Sequence, residues 1–305
     1  MLKAHVSSVD KPFPDDVVRL KESGNIFELV YMKRRNKRCY IERLDSEHYI
    51  DLKTGEVKDF VHIENRSDDL NSVRCSLGRL RDYLNANIID TAFCRWVTLT
   101  YAQPDGKPMT DTVRLYKDFE HFIKRLHRRY GRFEYIVAME PQASGSWHAH
   151  VVLIFPEKAP FIPNEEMAEI WGQGFTVTKR LDSVDNVGAY LTAYLGDMEL
   201  DEYVRLDNVP EHISVKEVEY IDDFGKKQKK RYVKGGRLYM YPPKFNLYRC
   251  SRGCKKPVVS YMIEKDAEKK VSSAKLTFQR TVFLVDPETD FENVISYRYY
   301  NKVRK

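Results

Sequence analysis

The sequence predicts an α+β fold: a mostly antiparallel sheet with helices packed on one face. Three observations carry this expectation. Between residues 90 and 196, β-branched and aromatic runs alternate with strongly periodic helical segments. Two of those runs, 133–141 and 146–155, meet across a short Ala-Ser-Gly stretch suited to a hairpin. The chain has 305 residues, of which 42% are hydrophobic, enough for one large domain or two small ones.

The elements follow in order. FCRWVTLTY (Phe93–Tyr101) is β-branched and aromatic and reads as a strand. In the segment after it, Leu115, Phe119, Phe122, Leu126 and Tyr130 recur at helical spacing. Thr110 or Asp111 can cap that helix, Lys and Arg crowd its last turns, and Gly131 can end it. FEYIVAMEP (Phe133–Pro141) and SWHAHVVLIF (Ser146–Phe155) are the next two strands. A short helix over 164–171, a strand over Phe175–Leu181 and a helix in SVDNVGAYLTAYLGD, with Ser183 as its N-cap, complete the pattern.

Composition divides the chain into an N-terminal region 1–88 ending in a basic helical stretch, a central domain 89–200, and a C-terminal region 201–305. From Asp197 to Asp223 there are ten acidic residues and two basic ones; from Lys226 to Lys256 there are twelve basic residues and no acidic one. The net charge of +6 fits a nucleic-acid partner. Five scattered cysteines, an N-terminus without an apolar leader and no run long enough to span a membrane suggest a soluble, reducing, cytoplasmic setting. Cys250 and Cys254 lack a second Cys/His pair and read as ordinary thiols. No G-x-x-x-x-G-K-[ST] motif occurs, so unwinding and synthesis would fall to a host helicase and polymerase.

His148 and His150 lie two apart on a strand, so both imidazoles project from one face. The hairpin would bring Glu140 across to them. Two imidazoles and a carboxylate suit one divalent cation with open positions; the competing reading is a pair of sheet-packing histidines. Tyr190 and Tyr194 lie four apart on a helix, one turn apart on one face. That spacing suits core packing, and it suits chemistry only if the helix crosses beside the metal ligands.

Together these pieces resemble the HUH endonucleases, in particular the two-tyrosine rolling-circle replication initiators of filamentous phages and small plasmids. FCRWVTLTY resembles the first motif of that family, EPQASGSWHAH the His-hydrophobic-His motif, and NVGAYLTAYLGD the tyrosine helix. The resemblance spans about residues 90–200. It implies that Glu140, His148 and His150 hold Mg²⁺ or Mn²⁺. It implies too that Tyr194, with Tyr190 as partner, attacks a phosphate of single-stranded DNA at a replication origin, in or near a hairpin. The products would be a 5′-phosphotyrosine and a 3′-OH that primes synthesis. The lysine that many members place three residues after the tyrosine is absent: those positions are Ala193 and Asp197, and Lys179 or Arg180 are the candidate substitutes.

The run 226–256 interleaves cations with aromatic rings, a pattern suited to phosphates and unpaired bases. Lys226, Lys227, Lys229, Lys230, Arg231, Lys234 and Arg237 are its candidate DNA contacts. The competing functions are a mobilisation relaxase or single-strand transposase of the same chemistry, and a non-catalytic nucleic-acid-binding module.

Overall fold

The computed structural model describes residues 3–7, 12–35, 40–62, 69–181, 186–192, 195–204, 214–221, 227–286 and 291–304. In chain order its strands begin with β1 (Lys3–Ser7), β2 (Val17–Ser23), β3 (Ile26–Met32), β4 (Ile41–Arg43), β5 (His48–Asp51) and β6 (Val57–Asp59). Helix α1 (Leu70–Asn87), β7 (Cys94–Thr100), α2 (Thr112–Tyr130), β8 (Glu134–Pro141), β9 (Trp147–Ile154), α3 (Asn164–Trp171) and β10 (Thr176–Lys179) follow. Next come α4 (Val187–Thr192), β11 (Met198–Glu199), α5 (Leu200–Tyr203), β12 (Val215–Ile221), β13 (Lys227–Val233) and β14 (Tyr248–Cys250). The chain closes with β15 (Val258–Ile263), α6 (Glu264–Val271), β16 (Lys275–Asp286) and β17 (Phe291–Asn301).

The chain forms two compact units, Met1–Glu64 with Val258–Lys305, and Asn65–Pro257. The first joins both chain ends in an antiparallel six-stranded sheet of order β1-β16-β17-β3-β2-β15. Helix α6 packs Ala267 and Val271 onto Val18, Leu20, Phe27 and Leu29. Arg298, buried on β17, is paired with Glu264 at 2.6 Å, so its charge is compensated inside the unit. Strands β4, β5 and β6 make a separate small sheet.

The second unit holds an antiparallel five-stranded sheet of order β10-β7-β9-β8-β14. Helix α2 covers one face because Leu115, Phe119, Phe122 and Leu126 form the expected stripe, all buried. Asp111 caps it, accepting from the Val113 and Arg114 N–H groups, and Gly131 ends it at φ 76°. The α+β expectation holds, with one correction: helices lie on both faces. Leu80, Leu84 and Ile88 of the α1 region and Val187 of α4 pack on the opposite face, against Cys94, Ile136, Ala138 and Val152. The basic helical stretch placed in an N-terminal region thus belongs to this unit, and the boundaries near 88 and 200 both fall inside it.

Two glycine positions decide how α4 sits. A Cβ on Gly188 would lie 2.4 Å from the Arg81 carbonyl oxygen, so only glycine permits this approach to α1. The Gly188 N–H donates to the Asn85 side chain (2.9 Å). Gly188→Ala is expected to lower stability by about 1–3 kcal/mol through overpacking, read from chemical denaturation. Farther on, Gly196 takes φ 80° and turns the chain out of this region toward β11.

The acidic and basic runs form a third sheet, β11-β13-β12. The opposite charges meet across it: Lys229 pairs with Glu217 (2.6 Å), Lys230 with Glu199 (2.7 Å), and Lys216 with Asp197 (2.5 Å). The rest of the basic run returns to the core. Leu238, Tyr241, Phe245 and Leu247 are buried, the Tyr241 hydroxyl donates to the Met139 carbonyl (3.1 Å), and β14 completes the five-stranded sheet.

Candidate active site

Register puts the site together. Alternation along β9 sends Trp147, Ala149, Val151 and Leu153 into the α2-covered core and leaves His148 and His150 on the other face. Glu140 pairs with His148, and Ala138 with His150, so the carboxylate shares the histidine face. Thr98 of β7 stands opposite His150, its hydroxyl 3.3 Å from Nδ1, which leaves Nε2 turned to Glu140 Oε2 at 3.4 Å. Trp96, two residues before Thr98, lies on the same face, with its ring 6.3 Å from that of His150.

Tyr190 reaches the site from α4. It is 47% exposed and packs edge-on against Trp96, with ring centroids 5.9 Å apart. Burial on this helix falls instead to Val187, with Leu191 packed partly against the same cluster. The Asn186 side chain accepts from the Ala189 N–H at the start of α4; Ser183, expected there, lies outside the described residues, as do Tyr194 and Ala193. A cavity of about 370 Å³ is lined by Glu140, His148, His150, Trp96 and Tyr190 together, with Arg237 at its wall.

Electrostatics favour a neutral imidazole at His148. Burial, with the neighbouring His150, pushes its pKa down to about 4. Its Nε2 is buried and has no hydrogen-bond partner. Trp96 Nε1, Arg237 Nε and Glu202 Oε2 are likewise buried without one, and all four residues line this cavity. Native interiors rarely tolerate such atoms without a ligand or water. Burial works to raise the Glu140 carboxyl, yet the His150 hydrogen bond and the Arg237 charge hold it below the usual carboxylate range.

A neutral His148 with its lone pair unused, an oriented His150 and an ionised Glu140 are donors that suit a divalent cation. Among the described residues, however, no three such side chains already stand as a ligand set. The reason lies at Glu140. Its Oε1 accepts from the Gly196 N–H (2.8 Å) and is ion-paired with Arg237 Nη1 (3.2 Å).

The candidate DNA contacts separate. Arg237 lines the cavity, Lys229 and Lys230 are ion-paired in the small sheet, and Arg231 and Lys234 are exposed. Lys226 lies outside the described residues, and only the backbone of Lys227 is described, in β13. Lys179 sits over the Trp96 ring at 5.8 Å and, like Arg180, is not among the cavity residues. Cys254 Sγ lies 3.4 Å from the Ser251 hydroxyl and 3.5 Å from the Tyr135 carbonyl, contacts of an ordinary thiol. Sequence patterning does not single out Trp96, Thr98 or Arg237. Counting by twos along β7 from the residue opposite His150 finds the first two once the pairing is known.

Residues 94–199 match the family model of the replication-associated protein ORF2. The matched segment, a little over a third of the chain, contains Glu140, His148, His150, Trp96 and both tyrosines. The match supports a replication initiator. No curated protein and no solved structure matches. No helix among the described residues is long and apolar enough to cross a membrane.

Proposed function

We propose that this chain initiates rolling-circle replication by nicking single-stranded DNA at an origin through a covalent phosphotyrosine. The observation that carries the reading is one cavity in which Tyr190 meets Glu140, His148 and His150, inside the segment similar to replication-associated proteins. The tyrosine oxygen of Tyr194, or of its partner Tyr190, attacks the phosphorus, and the bond from phosphorus to the 3′ oxygen breaks. The departing oxygen takes a proton and becomes a 3′-OH, while the phosphate stays as a 5′-phosphotyrosine. One phosphodiester is exchanged for another, so a 3′-OH can later reverse the step and close a circle.

Glu140, His148 and His150 are the residues that would hold Mg²⁺ or Mn²⁺, which when bound polarises a phosphate oxygen and neutralises charge in the transition state. Thr98 keeps His150 oriented for that task. Trp96 offers a ring and an unpartnered N–H beside Tyr190, suited to an unpaired nucleotide next to the scissile phosphate. The decisive test incubates the protein with single-stranded oligonucleotides and Mn²⁺ and looks for a covalent adduct that maps to α4 or the residues just after it. Binding without any adduct would instead favour a non-catalytic module.

DNA contact by the basic strand has its own test. Replacing Arg231 and Lys234 together by Gln is expected to flatten the salt dependence of oligonucleotide binding. Each cation withdrawn from a phosphate lowers the slope of log K against log salt by about 0.7. Lys229→Gln should change it less, because that charge already faces Glu217. An unchanged slope in the double variant would remove this strand from the DNA interface.

A further inference from the structure

We infer that Arg237 is a built-in counter-ion: it holds Glu140 until a divalent cation takes that carboxylate, then turns its guanidinium to a phosphate of the bound strand. This deepens the function proposed above and rests on it. Four carboxylates line the cavity, Glu140, Asp197, Glu199 and Glu202, and among its described lining residues Arg237 is the one Lys or Arg. Asp197 is matched by Lys216 and Glu199 by Lys230, from outside that wall. Glu140 and Glu202 face Arg237, with Nη1 at 3.2 Å and Nη2 at 3.6 Å.

That hold is loose where it matters. The 3.6 Å contact is longer than a hydrogen bond, and Nε is buried with no partner. A guanidinium offers five N–H donors in a fork that matches a phosphate, and here most of that capacity is unused. The backbone beneath is firm by contrast. The Arg237 N–H donates to the Gly196 carbonyl (2.8 Å), and the Gly235 N–H donates to Asp197 Oδ1 (2.7 Å). The side chain can therefore swing while its root stays beside the site.

Two cations cannot share one buried carboxylate without cost. Removing the Arg237 charge should tighten cation binding, and its release on cation binding should make the cation and the strand bind cooperatively. The same Gly196 that bonds Arg237 also donates to Glu140, so both partners of the exchange are anchored at one turn.

The test uses the full chain, Mn²⁺ followed by electron paramagnetic resonance, and a fluorescein-labelled oligothymidine followed by anisotropy. Arg237→Gln is expected to bind Mn²⁺ at least tenfold more tightly than the parent. In the parent, Mn²⁺ should tighten oligothymidine binding at least fivefold; in Arg237→Gln that gain should vanish. Arg237→Lys keeps the charge but loses the fork, so its Mn²⁺ affinity should stay near the parent's while the cooperative gain shrinks. It also serves if the Gln variant does not fold. Unchanged or weaker Mn²⁺ binding in Arg237→Gln, or an undiminished gain, overturns the inference while leaving the metal site standing. A parent chain that takes up no Mn²⁺ overturns the metal reading, and this inference with it.

Discussion

A protein carrying both Tyr190→Phe and Tyr194→Phe is expected to fold, bind single-stranded DNA and form no covalent adduct. The change keeps each ring and deletes the oxygen that would bond to phosphorus. Loss of the nucleophile in covalent catalysis costs on the order of 10⁶ in rate, so adduct should fall below detection. Stability should stay within about 0.5 kcal/mol for Tyr190→Phe, because that side chain is half exposed and its edge contact with Trp96 survives. The single variants divide the labour. Tyr194→Phe alone should stop the first cleavage, whereas Tyr190→Phe should spare it and impair the later transfer that closes a circle. An adduct that persists in the double variant, mapped to another tyrosine, would place the chemistry on a different element.

The second large effect is expected from His148→Ala with His150→Ala. Cleavage should be lost and binding largely kept, since the exposed cations Arg231 and Lys234 lie outside the cavity lining. An equal fall in binding and cleavage would point to a structural role for the pair. His148 also carries a pH signature that can be read without DNA, in the presence of a chelator. Its folded pKa, about 4, lies below the ordinary histidine value, so between roughly pH 6.5 and 4 the unfolded chain binds the extra proton. Stability on this account is full above pH 6.5 and declines as pH falls toward 4, by at most on the order of 3 kcal/mol and less for the part of the ring that water reaches. Thermal melts of the parent should show that acid limb, and His148→Ala should flatten it.

Much of the central unit was legible in local pattern. The stripe Leu115, Phe119, Phe122 and Leu126, the cap at Asp111 and the stop at Gly131 appear where spacing places them. The alternation of Trp147, Ala149 and Val151 with His148 and His150 is likewise local, and it put both imidazoles on one face. The composition of 226–256 was a poorer guide. Charge density suggested a basic surface, but the same run also carries Leu238, Tyr241, Phe245 and Leu247 into the core, and its first lysines meet acidic partners across a sheet.

The chain by itself determined the strand and helix order, the face shared by the two histidines and the pairing of Glu140 with them across a short hairpin, because all of these follow from periods of 2 and 3.6 over nearby residues. Only the tertiary structure decided the rest. It joined the two chain ends in one sheet, an association of segments more than 200 residues apart that no local period encodes. It laid α1 and α4 on the second sheet face, through the close approach that Gly188 allows. And it carried Arg237 from a run that reads as surface charge to the carboxylate of Glu140, because a buried acid needs a compensating cation and the fold supplied one from about a hundred residues away.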